Sequence, residues 1–300
     1  MLFFCLILGV ILRGVKLMPD NAANVLNSFI INVSLPALTL LHTVDVDFSP
    51  DEMLPILSAW LVFGAAFLFF NLTKSVTKFD HQTVGALIVV GGISSISFVG
   101  FPIFEMLYGA EGLKLGILMS QSGTFLVCST VGIATVSVFA AKGEKINWAK
   151  IFKEMFTFPP FAMFCLALIL KFFGYRHPSV IADVLSKIGG TLSVIALISI
   201  GLQMSFKGFD QQLRPLVLGL IFKLILAPLI IFLIFVGIFK QHGVAVQVSI
   251  LGSALGSMNT IGIVAIRKGL NPNLVAQMIG ISIPLSLVIL PLVYFLIQNL

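Results

Sequence analysis

The stretch Gly91-Gly-Ile-Ser-Ser-Ile-Ser-Phe-Val-Gly-Phe-Pro102 decides how this chain folds. It sits inside a long apolar run, Thr83–Tyr108, where a membrane helix would carry Leu, Ile and Val. Glycine, serine and proline occupy it instead. A second stretch, Leu251-Gly-Ser-Ala-Leu-Gly-Ser-Met-Asn-Thr-Ile-Gly262, lies 160 residues later inside the run Gly243–Ile266. Sliding one over the other sets Gly92 on Gly252, Ser97 on Ser257 and Gly109 on Gly269, with Gly85 within two residues of Gly243. A looser pairing sets Ser34-Leu-Pro-Ala-Leu38 over Ser193-Val-Ile-Ala-Leu197.

Composition says what surrounds these stretches. Of 300 residues, 58% are hydrophobic and 10% charged, with 28 Phe; soluble domains carry about 25% charged residues. With a mean hydropathy of +1.11, too little polar surface remains to coat a globule in water. Disorder needs the opposite composition, and a membrane barrel would show short alternating segments rather than long runs. The chain reads as an all-α integral membrane protein. Its net charge of +6 then marks a cytoplasmic face rather than nucleic-acid binding.

A spanning helix needs roughly 20 apolar residues to cross about 30 Å of hydrocarbon. Ten candidate runs meet or approach this: Leu2–Leu12, Val25–Val44, Met53–Leu72, Thr83–Tyr108 and Leu113–Ala141, then Phe156–Phe173, Val180–Phe206, Leu213–Phe239, Gly243–Ile266 and Leu274–Gln298. The first is short, and lacks the positive start and the small-residue cleavage site of a signal peptide. After odd-numbered spans come Arg13, Lys16, Lys74, Lys78, Lys142, Lys145, Lys150, Lys153, Lys207, Arg214, Arg267 and Lys268. After even-numbered spans come only Lys114, Lys171, Arg176, Lys187 and Lys240. That bias predicts both termini outside the cytoplasm. The acidic loop of Asp45, Asp47, Asp51 and Glu52 fits the outer side. The division expected is a first repeat over 1–141, a solvated cytoplasmic linker over 142–155 and a second repeat over 156–300. Five spans per half make the copies inverted in the membrane, an arrangement common in secondary transporters.

Each paired stretch places helix-breaking residues at mid-membrane depth. Freed backbone groups are tolerated there only against protein or a wet cavity. Close packing through small residues, as Gly252-xxx-Gly256 would allow, accounts for either stretch alone. The two together predict broken helices in spans four and nine, with Gly91, Gly92, Gly100, Pro102, Gly252, Gly256 and Gly262 at the breaks.

These residues resemble the auxin efflux carrier family, the group that includes bacterial malate and malonate permeases. The resemblance covers nearly the whole chain: Leu35-Pro-Ala-Leu38, Gly100-Phe-Pro102, Tyr108-Gly-Ala-Glu-Gly112, Ala196-Leu-Ile-Ser-Ile-Gly-Leu202, Lys223-Leu-Ile-Leu-Ala-Pro228 and the segment from Ser282 to Pro291. It implies ten helices in two inverted five-helix repeats, divided into a scaffold and a transport domain, with a crossover in spans four and nine. Where members often carry Asn at the first crossover, this chain has Ser95; Asn259 is expected to take that role from the opposite repeat. Members also often have proline where Val194 and Asn259 stand.

Polar residues within the spans are few. Lys223 is the one clear cation deep in a span, either attracting an anion or bonding groups freed by the broken helix. Each broken span also offers a helix N-terminus with unpaired N–H groups and a partial positive charge. Ser94, Ser95, Ser97, Ser257, Asn259 and Thr260 could complete a shell around a carboxylate, or satisfy local backbone. Glu105 and His42 read as residues of the outer membrane edge. Without intramembrane carboxylates, uniport or proton carriage on the substrate suits the inventory better than sodium symport.

Other chemistry finds no footing. Cys5, Cys128 and Cys165 lack metal or redox spacing, the four His are scattered, and no phosphate-binding loop appears. Ser75-Val-Thr-Lys78 matches a nucleophile motif by letters only. The sequons Asn32-Val-Ser34 and Asn71-Leu-Thr73 fall within spans or on the wrong side. The sequence therefore predicts a non-enzyme without cofactor or metal, partnered by a small organic anion and the lipid bilayer, with no nucleic acid, and compatible with a homodimer. Malate or malonate is the first expected cargo and an auxin-like aromatic weak acid the alternative. A membrane-embedded enzyme is the contrasting class.

Overall fold

A computed structural model describes residues 2–15, 17–19, 21–46, 49–140, 148–203 and 212–300. Lys16, Asp47, Lys142, Lys145 and Lys207 lie outside them, as does the first part of the expected linker. The described residues are helical throughout apart from short connections. The first half contains α1 (Leu2–Gly14), α2 (Ala22–Phe29), α3 (Leu35–Thr43), α4 (Pro50–Thr77), α5 (His81–Gly92), α6 (Phe101–Leu118) and α7 (Ile133–Phe139). Then come α8 (Trp148–Thr157), α9 (Pro159–Phe172), α10 (Ser179–Gly189), α11 (Thr191–Gln203) and α12 (Leu213–Ile221). The chain ends with α13 (Ala227–Phe232), α14 (Val244–Ser253), α15 (Asn259–Arg267) and α16 (Pro272–Ile297). Wider π turns join several of them, at Ile30–Ser34, Ile96–Gly100, Met119–Phe125, Cys128–Gly132, Phe222–Leu226 and Leu233–Ile238.

Among the described residues, six helical stretches are long and apolar enough to cross a bilayer: Ala22–Thr43, Pro50–Thr77, Ile96–Phe139, Ser179–Gln203, Leu213–Ile238 and Pro272–Ile297. A seventh span would be the pair Ile151–Thr157 and Pro159–Phe172, bent by 73°. At 44 residues and about 1.5 Å per residue, Ile96–Phe139 is far longer than one crossing. It breaks at Gly109, whose φ of 62° and ψ of −144° are non-helical; lacking Cβ, glycine takes that conformation without clash. The second part of the expected solvated linker is not loop: from Trp148 on it is α8, which packs on α9. Met155 there is buried with Phe161 and Phe164, so apolar contact overrides the charge of Lys150 and Lys153.

Local sequence sets the helix starts. Ser49 caps α4 by accepting from the Glu52 N–H, followed by Pro50 and two acids in the first turn; both favour an N-terminus. Asp80 caps α5 through the Thr83 N–H at 3.2 Å, and Asn271 caps α16 through Leu274 at 3.3 Å. The helices then pack in two sets. In one, α11 holds α1 and α2, and α3 lies on α9 and α10. In the other, α4 packs on α5, α13 and α14, while α16 packs on α5, α12, α14 and α15. Contacts between the sets run mainly through α6 and the π turns that flank the first break.

Candidate functional site

Two helices stop short of a full crossing. Following α5, Ile93 is extended (φ −120°, ψ 120°) and helix resumes at Ile96. Following α14, the chain is irregular until Met258 (φ −74°, ψ 126°), and α15 begins at Asn259. The two irregular segments lie antiparallel and bridge at Ser94 and Ser257. The Ser95 N–H donates to the Gly256 carbonyl at 2.9 Å, and the Met258 N–H donates to the Ile93 carbonyl at 3.0 Å. Thus each break satisfies the backbone groups freed by the other, as an apolar surround requires. The two bonds are counterparts 163 positions apart, 95 matching 258 and 93 matching 256. Ser257 thus lies across the bridge from Ser94, while Ser97, which the sequence match set over it, lies three residues further on. Residues on an extended segment alternate in direction, so neighbours at the crossing serve opposite sides.

One side is closed. Lys223, on the π turn Phe222–Leu226, is 0% exposed. Its Nζ donates to Ser94 Oγ at 2.6 Å. The Ser257 N–H donates to Ser282 Oγ at 2.9 Å, and Ser282 Oγ donates to Ser257 Oγ at 3.2 Å. A polar thread therefore runs from Lys223 through both breaks to α16, every member buried. Gly256 is there for closeness: a Cβ would come within 2.6 Å of Ile283 Cα.

The other side is a narrow pocket with a cavity volume of about 40 Å³, opening to a wider mouth. Ser95, Ser97, Asn259 and Thr260 line it; Ser94, Ser257 and Lys223 do not. Of the seven expected site residues, the structure gathers four here and three behind the crossing. Gly100 and Gly252 sit where a Cβ would press on Leu255 or Met119, and Pro102 falls in the first turn of α6, a position that tolerates it. Gly91 and Gly92 end α5 against Phe70 and Ala66, and Gly262 meets α16 at Ile279.

Span five supplies what sequence reading missed. Ser120, Gln121 and Thr124, on the π turn Met119–Phe125, complete the polar wall. Ser97 and Ser120 share a hydroxyl hydrogen bond of 2.6 Å. Gln121 is 1% exposed, and its Oε1 is buried without a partner. A buried acceptor left bare is costly. The signal was Ser120-Gln-Ser-Gly-Thr124, five small or polar residues together in a run read as apolar. Opposite stand Ile31, Leu35, Phe98, Phe125 and Phe158, with Phe125 and Phe158 stacked at 4.7 Å. Among the described residues, no Lys, Arg, His, Asp or Glu lines the pocket. The half-helices that start at Ile96 and Asn259 have no side-chain cap, which leaves a partial positive charge at each start; the Ile96 N–H itself donates to the Ser94 carbonyl at 3.1 Å.

Away from the crossing, Glu105 is exposed and accepts from Ser193 Oγ at 2.6 Å, tying α6 to α11. His42 joins Asp45, Asp51, Glu52 and Glu111 around a separate surface pocket, where Lys114 pairs with Glu52 at 2.6 Å.

A family whose members are described as membrane transport proteins matches residues 1–294. The chain belongs to it. This is the auxin efflux carrier and membrane transport family that the sequence motifs resembled. An uncharacterized transporter of Methanocaldococcus jannaschii is 25% identical over 292 residues, covering 94% of this chain and 92% of that protein. An uncharacterized transporter of Methanothermobacter thermautotrophicus is 27% identical over 289 residues, covering 95% and 93%. Family and helices together make this a multi-pass membrane transport protein whose setting is the lipid bilayer and whose cargo is a small molecule.

Proposed function

We propose that the protein is a secondary transporter of a small organic anion that works by alternating access in the cytoplasmic membrane. In this reading ten spans form two inverted five-span repeats, and the bridged breaks are the crossover of spans four and nine. The helix set around the crossing moves against the set of α1–α3 and α9–α11. Both termini lie outside, so the pocket mouth, near Phe158, Gln203 and the N-terminal turn of α15, faces the cytoplasm.

The observation that carries the reading is the pocket's chemistry: two uncapped half-helix N-termini, a bare buried acceptor on Gln121 and no ionised side chain. The helix ends suit one carboxylate, and Gln121 Oε1 asks for a donor from the cargo or its water. A second carboxylate would be buried without a partner, which is costly. The apolar wall of Phe98, Phe125 and Phe158 suits an aromatic or otherwise apolar body. A monocarboxylate with such a body thus fits better than malate or malonate, which become the second reading.

Uptake of labelled benzoate, phenylacetate, lactate, malate and malonate into proteoliposomes tests this, with and without imposed sodium and proton gradients. Phenylacetate and benzoate should enter fastest, without a need for sodium. Faster entry of malate would restore the dicarboxylate reading. Absence of flux for all five, with protein shown to be folded, would sink the anion reading.

A further inference from the structure

We propose that the transported anion is the counter-ion of Lys223, so that the carrier exchanges cargo faster than it returns empty. This rests on the transport reading above and adds the charge balance of its cycle.

Lys223 is fully buried, and its ammonium donates to a neutral hydroxyl, Ser94 Oγ at 2.6 Å. Among the described residues no carboxylate lies within ion-pair distance of it. A cation in a low-dielectric interior without a compensating charge is expensive. The pocket across the bridge has the complementary deficiency, since among the described residues that line it none is a cation. Ser94, which holds the ammonium, is directly followed by Ser95, which lines the pocket. One extended residue and a hydroxyl therefore separate Nζ from a carboxylate seated at the half-helix ends, on the order of 10 Å. At that range in protein, attraction strengthens binding on the order of tenfold. Lys223 is a positioning residue that acts through space, never touching the cargo.

Its place in the fold gives the consequence. The turn Phe222–Leu226 packs on α5, α12, α13 and α16, all in the set around the crossing. The ammonium thus travels with the pocket. A loaded carrier moves the cation and one carboxylate together, with no net charge. An empty carrier must move the cation alone through the membrane. Return of the empty carrier is the slow, voltage-sensing step, and exchange bypasses it.

The full-length protein in proteoliposomes preloaded with labelled benzoate or phenylacetate reads this out directly. Efflux into buffer containing the same unlabelled acid should exceed efflux into acid-free buffer about tenfold or more. A potassium diffusion potential, inside negative, should speed the acid-free efflux, because it draws the empty, positive carrier back inward. It should leave exchange unchanged. Lys223→Met should bring the two rates together and weaken half-saturation on the order of tenfold. Ser94→Ala keeps the charge and removes only its hydrogen bond; it should retain the rate difference, which separates charge from local structure if the first variant folds poorly. Equal exchange and net rates in the unmodified protein, or exchange accelerated by the potential, would overturn the proposal while leaving transport intact. No flux of any of the five acids would instead overturn the transport reading, and the pairing with it.

Discussion

The two sides of the crossing are made from nearly the same residue types and do opposite things. Behind it, Ser94, Ser257, Ser282 and Lys223 are all at most 4% exposed and are bonded in two pairs, Lys223 to Ser94 and Ser257 to Ser282. In front of it, Ser95, Ser97, Gln121, Asn259 and Thr260 line an open pocket, and the acceptor of Gln121 is unused. The closed side has its polar groups paired, while the open side holds Gln121 Oε1 bare beside a paired Ser97 and Ser120. At Ser94 and Ser95 the difference comes from alternation along a short irregular segment, and for the other residues from the helix or π turn that carries each. A polar residue's neighbours, rather than its type, decide whether it holds the fold or meets the cargo.

The largest effect should come from breaking the closed side. Ser282→Ala removes the acceptor for the Ser257 N–H, and a buried donor left unpaired costs about 1–3 kcal/mol. Thermal melting in detergent should fall clearly. Half-saturation for cargo should stay near its original value in the protein that remains folded. A large change in half-saturation with unchanged melting would mean that Ser282 belongs to the pocket and that the two sides are not distinct.

How far sequence could anticipate this contrast follows from the same geometry. Gly, Ser and Asn in the middle of apolar runs are visible without a structure, because the bilayer gives broken backbone so few refuges. The register of the match was not. Glycine and serine recur every three or four residues in both stretches, so a shift of 160 scores identities, yet the residues that meet across the bridge are Ser94 and Ser257. Lys223 stood out as an ion, but its partner did not, since Ser94 and Ser95 are equivalent as letters and face opposite ways. Gln121 escaped because a run can be apolar on average and still turn one polar strip inward at a π turn, a feature common at functional sites. The separate sets of packed helices depend on contacts far apart in sequence, which composition does not encode.

A middle-sized effect should sharpen the contrast on the open side. Gln121→Leu removes an acceptor that has no partner. Folding should lose nothing and can gain up to about 1 kcal/mol, since no buried group is left bare. Transport should respond the other way, with half-saturation for phenylacetate raised about fivefold, because a water that donates both to Oε1 and to the bound carboxylate loses its anchor, a hydrogen bond of about 1 kcal/mol. Melting and uptake measured on one preparation give the pair of signs. Loss of stability together with unchanged uptake would place Gln121 with the closed side.

The smallest effect belongs to Thr260. It lies at the pocket's exposed rim, in the first turn of α15, where water already competes for its hydroxyl. Surface changes of this kind alter stability by no more than about 0.5 kcal/mol. A contact made to cargo in that wet position should be worth little more, so Thr260→Ala should raise half-saturation by about twofold and leave melting where it was. The result still discriminates. An effect as large as that of Gln121→Leu would mean that the bound state closes over Thr260 and removes it from water. The pocket as seen here would then be the open end of the cycle, and α15 would be the part that moves to seal it.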